Sequence, residues 1–460
     1  MDLWAEVGRF FVLFRRAFHI KRKNASRFEE VLRDKLTRGT GEGRRASETH
    51  SSGAVLEFLT FIVHNHLRLN ALKTLKNDFS VSAFVAGLIV LIVGMTSSAV
   101  IVFQAAQAFG ADLRSAGSWL GSLCIGMGLL TLYFSWKSKS PILTAWSTPG
   151  AVLLVTGADG FTMNEAVGAF VVSALLIVIC GVTGWFEKIM SRISLSLTSA
   201  LLAGVLLHFC LDVFSSFQKS PAVIGLMFVA YLVGKRFFST MTMLFVLSVG
   251  IAASMYLELF KFNELQFSFT QFVATAPHFS FAAIMSLAVP LFIVTMASQN
   301  LTGYSLMKAY RFDHRISPLI TGMGVMSLIT SFFGGFIINL AAITAAIAMG
   351  PESHPQKEKR YIAALVSGVL YIFVGLFAGT VVSVFAAFPK EMITAIAGLA
   401  LLGAVSTSLE KSFADSSHKE AAFITFIIAA SNLSLFGIGS AFWAIVVGIL
   451  VQHFFNAFKS

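Results

Sequence analysis

The chain has 460 residues, 56% of them hydrophobic and only 12% charged, and its 34 lysines and arginines against 23 aspartates and glutamates leave a net charge of +11. Ordinary soluble domains carry roughly 45–50% apolar residues, glycine included, and about 25% charged ones, which excludes a soluble enzyme, a nucleic-acid-binding domain, a disordered chain and a disulfide scaffold. What remains is an all-α polytopic protein of the lipid bilayer, whose basic residues mark the cytoplasmic side rather than a nucleic-acid surface.

Residues 1–76 differ from the rest, with 15 lysines and arginines and 8 acidic residues. Leu3, Trp4, Val7, Phe10, Phe11, Phe14 and Phe18 recur at helical spacing beside Arg9, Arg15 and Arg16, which predicts an amphipathic helix on an anionic membrane surface. Residues 37–53 are polar and rich in glycine and serine, the composition of a flexible linker. No long apolar run leads to a small-residue cleavage site, so the start does not read as a cleaved signal peptide. This region is taken as a basic cytoplasmic extension.

From residue 77 onward, twelve stretches lack Asp, Glu, Lys and Arg: 79–111, 115–136, 140–158, 166–186, 193–211, 220–234, 237–257, 265–307, 316–351, 361–389, 392–409 and 421–458. Stretch 316–351 is interrupted at Phe333-Gly334-Gly335 and stretch 421–458 between Asn432 and Gly439; each is long enough for two passes, which gives fourteen segments. The window 265–307 opens as a loop through Pro277 and His278 and holds one helix from about Phe279. If both termini are cytoplasmic, the inner loops and C-terminus carry fifteen of the basic residues beyond position 76 and the outer loops only Arg114, Lys219, Lys261 and Lys390, the asymmetry of a correctly counted inner-membrane protein. Cys124, Cys180 and Cys210 lie in apolar stretches with neither metal-site nor disulfide spacing, and no phosphate-binding glycine loop is present. Neither a metal, a cofactor nor an enzymatic role is expected.

Fourteen segments divide into two sevens, residues 77–264 and 265–460. Seven is odd, so the second half enters from the opposite side, as in the inverted repeats of secondary transporters. The third and tenth segments, at matching places, are both short and discontinuous. One contains Ser147-Thr148-Pro149-Gly150; the other begins Gly334-Gly335-Phe336 and continues through Asn339. Non-helical backbone is tolerated at membrane depth only where protein or water satisfies it. A helix starting there exposes unpaired N–H groups and a positive dipole end, an anion site without charged side chains. Polar residues of the first segment (Thr96, Ser97, Ser98, Gln104, Gln107) and of the eighth (Thr295, Ser298, Gln299, Asn300) are placed beside these breaks. The predicted carboxylate donors are the N–H groups near Gly150 and Phe336, with the Thr148 and Gln299 side chains. Trp146, Phe336 and Met296 are placed to face an apolar ring. No acidic residue lies deep in a span, which leaves His208 of the fifth segment as the proton-coupling candidate.

The strings VGMTSSAVIVFQAAQAFGA (93–111), PILTAWSTPGAVLL (141–154), PHFSFAAIMSLAVPLFIVTMASQN (277–300) and FFGGFIINLAAITAAIAMGPESHP (332–355) resemble the BenE-type benzoate/proton symporter family, over residues 77 to 456. The resemblance implies import of a small aromatic carboxylate such as benzoate with protons across the bacterial inner membrane. It also implies the fold shared with nucleobase and sulfate/bicarbonate transporters: segments 1–4 and 8–11 form a core domain, 5–7 and 12–14 a gate domain, and homodimers form through the gate. Nucleobase transporters of that fold use glutamates in the eighth and tenth segments. Gln299 and Asn339 stand there here, which disfavours a nucleobase and leaves a sulfate-like inorganic anion as the main rival substrate.

Overall fold

The computed structural model describes residues 77–186, 194–415 and 418–457. The amphipathic stretch and polar linker expected within residues 1–76 lie outside the described residues. The first half comprises α1 (Val81–Ala108), α2 (Leu113–Ser138), β1 (Thr144–Trp146), α3 (Thr148–Thr156), α4 (Met163–Thr183), α5 (Leu195–Ser216), α6 (Pro221–Phe237) and α7 (Thr242–Tyr256). The second comprises α8 (Phe281–Ala309), α9 (Ile316–Ser331), β2 (Ile338–Leu340), α10 (Ile343–Met349), α11 (Tyr361–Leu376), α12 (Ala378–Ala387), α13 (Lys390–Phe413), α14 (Lys419–Ala430) and α15 (Ser440–Ala457).

Every charge-free stretch carries helix, and the breaks fall where the glycines and polar residues put them. Helix α9 ends at Ser331, before Gly334-Gly335, and residues 431–439 separate α14 from α15. Helix starts are set by local chemistry. Ser80 caps α1 by accepting from the Ala83 N–H, Asp112 caps α2 from the Ser115 N–H at 2.7 Å, and Thr162 with Glu165 forms a reciprocal capping box on α4.

Among the described residues, eight helices are long and apolar enough to cross a bilayer: α1, α2, α4, α5, α8, α13, and α7 and α11 with the short turns that precede them. The other apolar stretches are assembled from shorter pieces. The third and tenth each place a strand before a short helix, the eleventh breaks at Phe377 between α11 and α12, and α6 and α14 run only 17 and 12 residues. A single helix needs roughly 20 residues to span, so helix length alone does not return fourteen crossings.

Helix pairs close through small residues. Along the α2–α11 seam a Cβ on Gly128 would lie 2.7 Å from the Gly368 carbonyl, and one on Gly375 would lie 3.0 Å from the Gly121 carbonyl. Close backbone approach is how helices associate where apolar burial gives no drive. Helix α9 packs on α4, and α5 packs on α13 and α14. At one end of the bundle, Lys139 lies over the Trp136 and Tyr361 rings and reaches the Tyr361 hydroxyl at 3.0 Å, which in turn donates to Asp78 at 2.8 Å. Partial burial lowers the Lys139 ammonium below its ordinary pKa, and the nearby Asp78 carboxylate opposes the shift.

Residues 265–280 form no helix, as Pro277 and the polar residues around it suggest. They run as an extended strap whose backbone is bonded at intervals to four helices and to the turn after α9. Gln266 and Ser268 donate to Ser383 and Thr380 of α12, Thr270 to the Leu376 carbonyl of α11, and Val273 to Ser118 of α2. Thr275 donates to the Phe332 carbonyl beyond α9 and His278 to that of Asn164 in α4, both at 2.8 Å. Just upstream, the Lys261 N–H donates to the Ala387 carbonyl at the end of α12, 3.0 Å away.

Candidate functional site

The two interrupted segments meet. β1 and β2 pair antiparallel, with Thr144 opposite Leu340, Ala145 opposite Asn339 and Trp146 opposite Ile338. The Ser147 N–H donates to the Ile337 carbonyl and the Ala341 N–H to the Leu143 carbonyl, each at 3.0 Å, so the pairing extends just beyond both strands. Three N–H groups on the outer edges of this two-stranded ribbon are satisfied by side chains. Thr144 N–H donates to Thr131 Oγ1 of α2, Ile338 N–H to Ser327 Oγ of α9, and Leu340 N–H to Asn300 Oδ1 of α8, all at 2.9 Å. That is how extended backbone survives at membrane depth.

Helix α3 starts directly after β1. Ser147 is its N-cap: its Oγ accepts from the Gly150 N–H at 3.1 Å and shares a 2.8 Å hydrogen bond with Thr295 Oγ1 of α8. Pro149 has no N–H, and Ala151 donates back to the Ser147 carbonyl at 2.8 Å. The expected donor near Gly150 is therefore engaged by the cap, and the N–H of Thr148 is the one left at this helix start.

The tenth segment differs from expectation. Its helix begins at Ile343 rather than at the Gly334-Gly335-Phe336 break, because the ladder to β1 holds 337–341 extended. Gly334, Gly335 and Phe336 lie at the opposite end of β2 from α10, and the Phe336 N–H is not a helix-terminal donor. Phe336 is fully buried against Trp119 and Phe170, with ring centroids 6.5 and 6.1 Å away. Trp146 is likewise enclosed. Its Nε1 donates to Ser98 Oγ at 3.0 Å and its ring stands edge-on to Tyr371.

The eighth segment contributes through a wide turn of π-helix over Thr295–Asn300, a distortion often found at functional sites. It brings Thr295 to Ser147 and Asn300 to Leu340; the Asn300 Nδ2 also donates to the Met296 sulfur at 3.2 Å. Ser298 is turned into its own helix, donating to the Val294 carbonyl at 2.6 Å. Ser97 and Ser98 both donate to the Gly94 carbonyl of α1. Among the described residues the side chains of Thr148 and Gln299, both half-buried, have no hydrogen-bond partner. The carbonyl oxygens of Gln104 and of the fully buried Asn339 are also unpartnered. The structure thus gathers Ser147, Thr148, Asn300 and Asn339 around the ribbon, with Gln299 beside Asn300 on α8.

His208 lies on α5, its Nε2 2.8 Å from the Ala430 carbonyl at the end of α14. A carbonyl only accepts, so Nε2 carries the hydrogen in this arrangement. Sequence reasoning placed Thr295 beside the breaks but missed its bond to Ser147, the π turn and His314, which sits between α8 and α9 with a buried, unpartnered Nε2. Burial lowers the His314 pKa and the adjacent Asp313 opposes the shift.

A family model described as benzoate membrane transport protein matches residues 77–454. The Inner membrane protein YdcO of Escherichia coli is 41% identical over 363 residues, covering 79% of this chain and 93% of that protein. The Benzoate membrane transport protein of Acinetobacter baylyi is 35% identical over 379 residues, covering 82% and 96%. Among solved structures, murine Slc26a9, an anion transporter captured inward-facing, aligns with a TM-score of 0.54 at 13% identity, covering 83% of this chain and 69% of that one. The transmembrane domain of the cyanobacterial bicarbonate transporter BicA aligns at 0.50, also at 13% identity, covering 82% and 97%. At such identities the likeness is one of fold.

Proposed function

The chain belongs to the benzoate membrane transport family, and from that premise we propose that it imports benzoate or a related aromatic monocarboxylate in symport with protons. The observation that carries this reading is the buried polar ribbon. It brings the start of α3 together with Asn300 and Asn339, with open side chains at Thr148 and Gln299 nearby, and it contains no charged group. Such a site suits a small ligand with one polar end better than a strongly hydrated inorganic ion, which would need compensating charge to leave water.

Fourteen segments in two inverted repeats of seven are part of the proposal. What supports them is packing that repeats when the halves are exchanged. The α2–α11 contact becomes α9–α4, α6–α7 becomes α14–α15, and β1–β2 and α5–α13 map onto themselves. On this reading α1–α4 and α8–α12 form the core, and α5–α7 with α13–α15 form the gate and a face for homodimerisation. Both termini lie in the cytoplasm of a bacterium, beneath its inner membrane. A reporter fused after Ser460 is expected to be active only in its cytoplasmic form; periplasmic activity would overturn the topology.

The functional test is uptake of labelled benzoate and of sulfate into proteoliposomes with and without an inward-directed pH gradient. Gradient-driven accumulation of benzoate alone is expected; accumulation of sulfate alone would replace the reading with an inorganic anion transporter. His208→Gln locates the proton. Because the Nε2 hydrogen is held in the α5–α14 contact, the variant is expected still to concentrate benzoate in response to the gradient. A variant that exchanges substrate but no longer accumulates it would make His208 the carrier.

A further inference from the structure

The unpartnered atom on the β1–β2 ribbon is an acceptor. One atom of the Asn339 side-chain amide lies 2.7 Å from the Leu340 carbonyl, which can only accept. That atom is therefore Nδ2, and the atom left over is Oδ1. Asn339 is fully buried, and no described group donates to Oδ1. Directly opposed residues of an antiparallel pair share a face of the ribbon, so Asn339 lies with Ala145 and away from Ile338, whose side chain lies by Gly126 of α2 and Thr330 of α9. Buried polar atoms in native folds are almost always paired, and one fixed as an acceptor calls for a partner that brings a hydrogen.

The two ionisation states of the proposed substrate differ on this point. A carboxylate brings only acceptor oxygens, and its charge would stand against Oδ1. An un-ionised carboxylic acid brings one O–H donor and one carbonyl acceptor. Asn339 Oδ1 is free to receive that hydrogen, and the Thr148 hydroxyl at the start of α3 and the Gln299 amide next to Asn300 on α8 are open to donate. The capping of Gly150 by Ser147 further reduces the N–H groups open to an anion at the start of α3.

We propose that the site takes the aromatic acid in its neutral, protonated form, with the acid O–H donating to Asn339 Oδ1, so that the coupled proton crosses on the substrate. The proposal rests on the benzoate reading above. No bond to the protein forms or breaks. The O–H bond stays intact through the crossing, and the acid gives its proton to water on the cytoplasmic side. One benzoate and one proton move together with no net charge, and no side chain has to titrate.

The test is equilibrium binding of labelled benzoate to the purified full chain at pH 5.5, 6.5 and 7.5, with benzamide as competitor. Benzamide has the same ring, a carbonyl and N–H donors, and no ionisation in this range. Benzoic acid ionises near the carboxyl reference of about 4.3, so above that pH its neutral fraction falls about tenfold per unit. The apparent Kd for total benzoate is expected to rise about a hundredfold from pH 5.5 to 7.5, while competition by benzamide stays constant. Asn339→Leu is expected to lose both ligands. A benzoate Kd that does not change with pH would overturn the proposal, since the anion would then be the bound form. A benzamide Kd that rises in parallel would also overturn it, by assigning the titration to the protein, as would an Asn339→Leu variant that keeps the wild-type benzoate profile. The wild-type pH slope decides even if that variant does not fold. Absence of benzoate binding at every pH would instead remove the benzoate reading, and this inference with it.

Discussion

Asn300→Leu is expected to cut benzoate uptake roughly tenfold to a hundredfold while leaving a protein of nearly normal packing. The two side chains are close in volume, so the fully buried position is neither emptied nor overfilled. What disappears is the oxygen that accepts the Leu340 N–H at 2.9 Å. A buried donor left without an acceptor costs about 1–3 kcal/mol, and each 1.4 kcal/mol is a factor of ten. The cost falls on the ordered position of β2 against α8, where the site is assembled. The measurement is the initial rate of uptake per reconstituted molecule. Ser298→Ala is the matched control, because Ser298 bonds only within its own helix, and its rate should stay close to wild type. Wild-type uptake by Asn300→Leu would show that the α8–β2 bond does not hold the site.

Gly334→Ala should be the most destabilising single methyl addition near the ribbon. Gly334 has φ +83°, and a Cβ there would overlap the Trp119 indole. A non-glycine residue in that backbone region carries about 1–3 kcal/mol of strain. Forcing Trp119 out of its contacts with Phe109, Phe170 and Phe336 adds an overpacking cost of about the same size. Gly110 separates the two effects. It has φ +78° but open space where the methyl would go, so Gly110→Ala carries backbone strain alone. Thermal melting of the two variants in the same detergent should rank Gly334→Ala well below Gly110→Ala and below wild type. Equal melting temperatures would mean that Trp119 can step aside.

Large parts of this architecture are legible in the sequence because lipid imposes simple rules. Charge-free runs became helices, and Phe333-Gly334-Gly335 and 432–439 became breaks. Pro277 and the polar residues before Phe281 kept 265–280 out of a helix. Ser147 followed by Pro149 marked a helix start, where a capping oxygen and a missing N–H are both tolerated. The tenth segment misled because Ile-Ile-Asn-Leu is as apolar as the helix after it. What makes 338–340 extended is a ladder to 144–146, some 200 residues away, and local pattern carries no information about that partner. The π turn at Thr295–Asn300 is invisible for a similar reason: its residues fit an ordinary helix, and only the contacts to Ser147 and Leu340 show the wider winding. Nor does residue type reveal engagement. Ser147 and Gly150 read as open donors until the cap between them is seen, whereas Thr148 and Gln299 read the same way and do remain open.

The strap also sets a limit on reach. Its hydrogen bonds run to α2, α4, α11, α12 and the turn after α9, and none of those given above runs to α5, α6, α7, α13, α14 or α15. It is therefore fastened to helices of the proposed core and leads back to α7 of the proposed gate through a short tether. Between Tyr256, where α7 ends, and Lys261, bonded to the end of α12, the chain makes five residue steps, at most about 18 Å when fully drawn out. While that bond holds and α7 stays wound, the end of α7 can lie no farther from the end of α12 than this length plus the width of the Lys261–Ala387 hydrogen-bonded pair. Any transport cycle that slides the two helical groups past one another must fit within that leash or first unfasten Lys261.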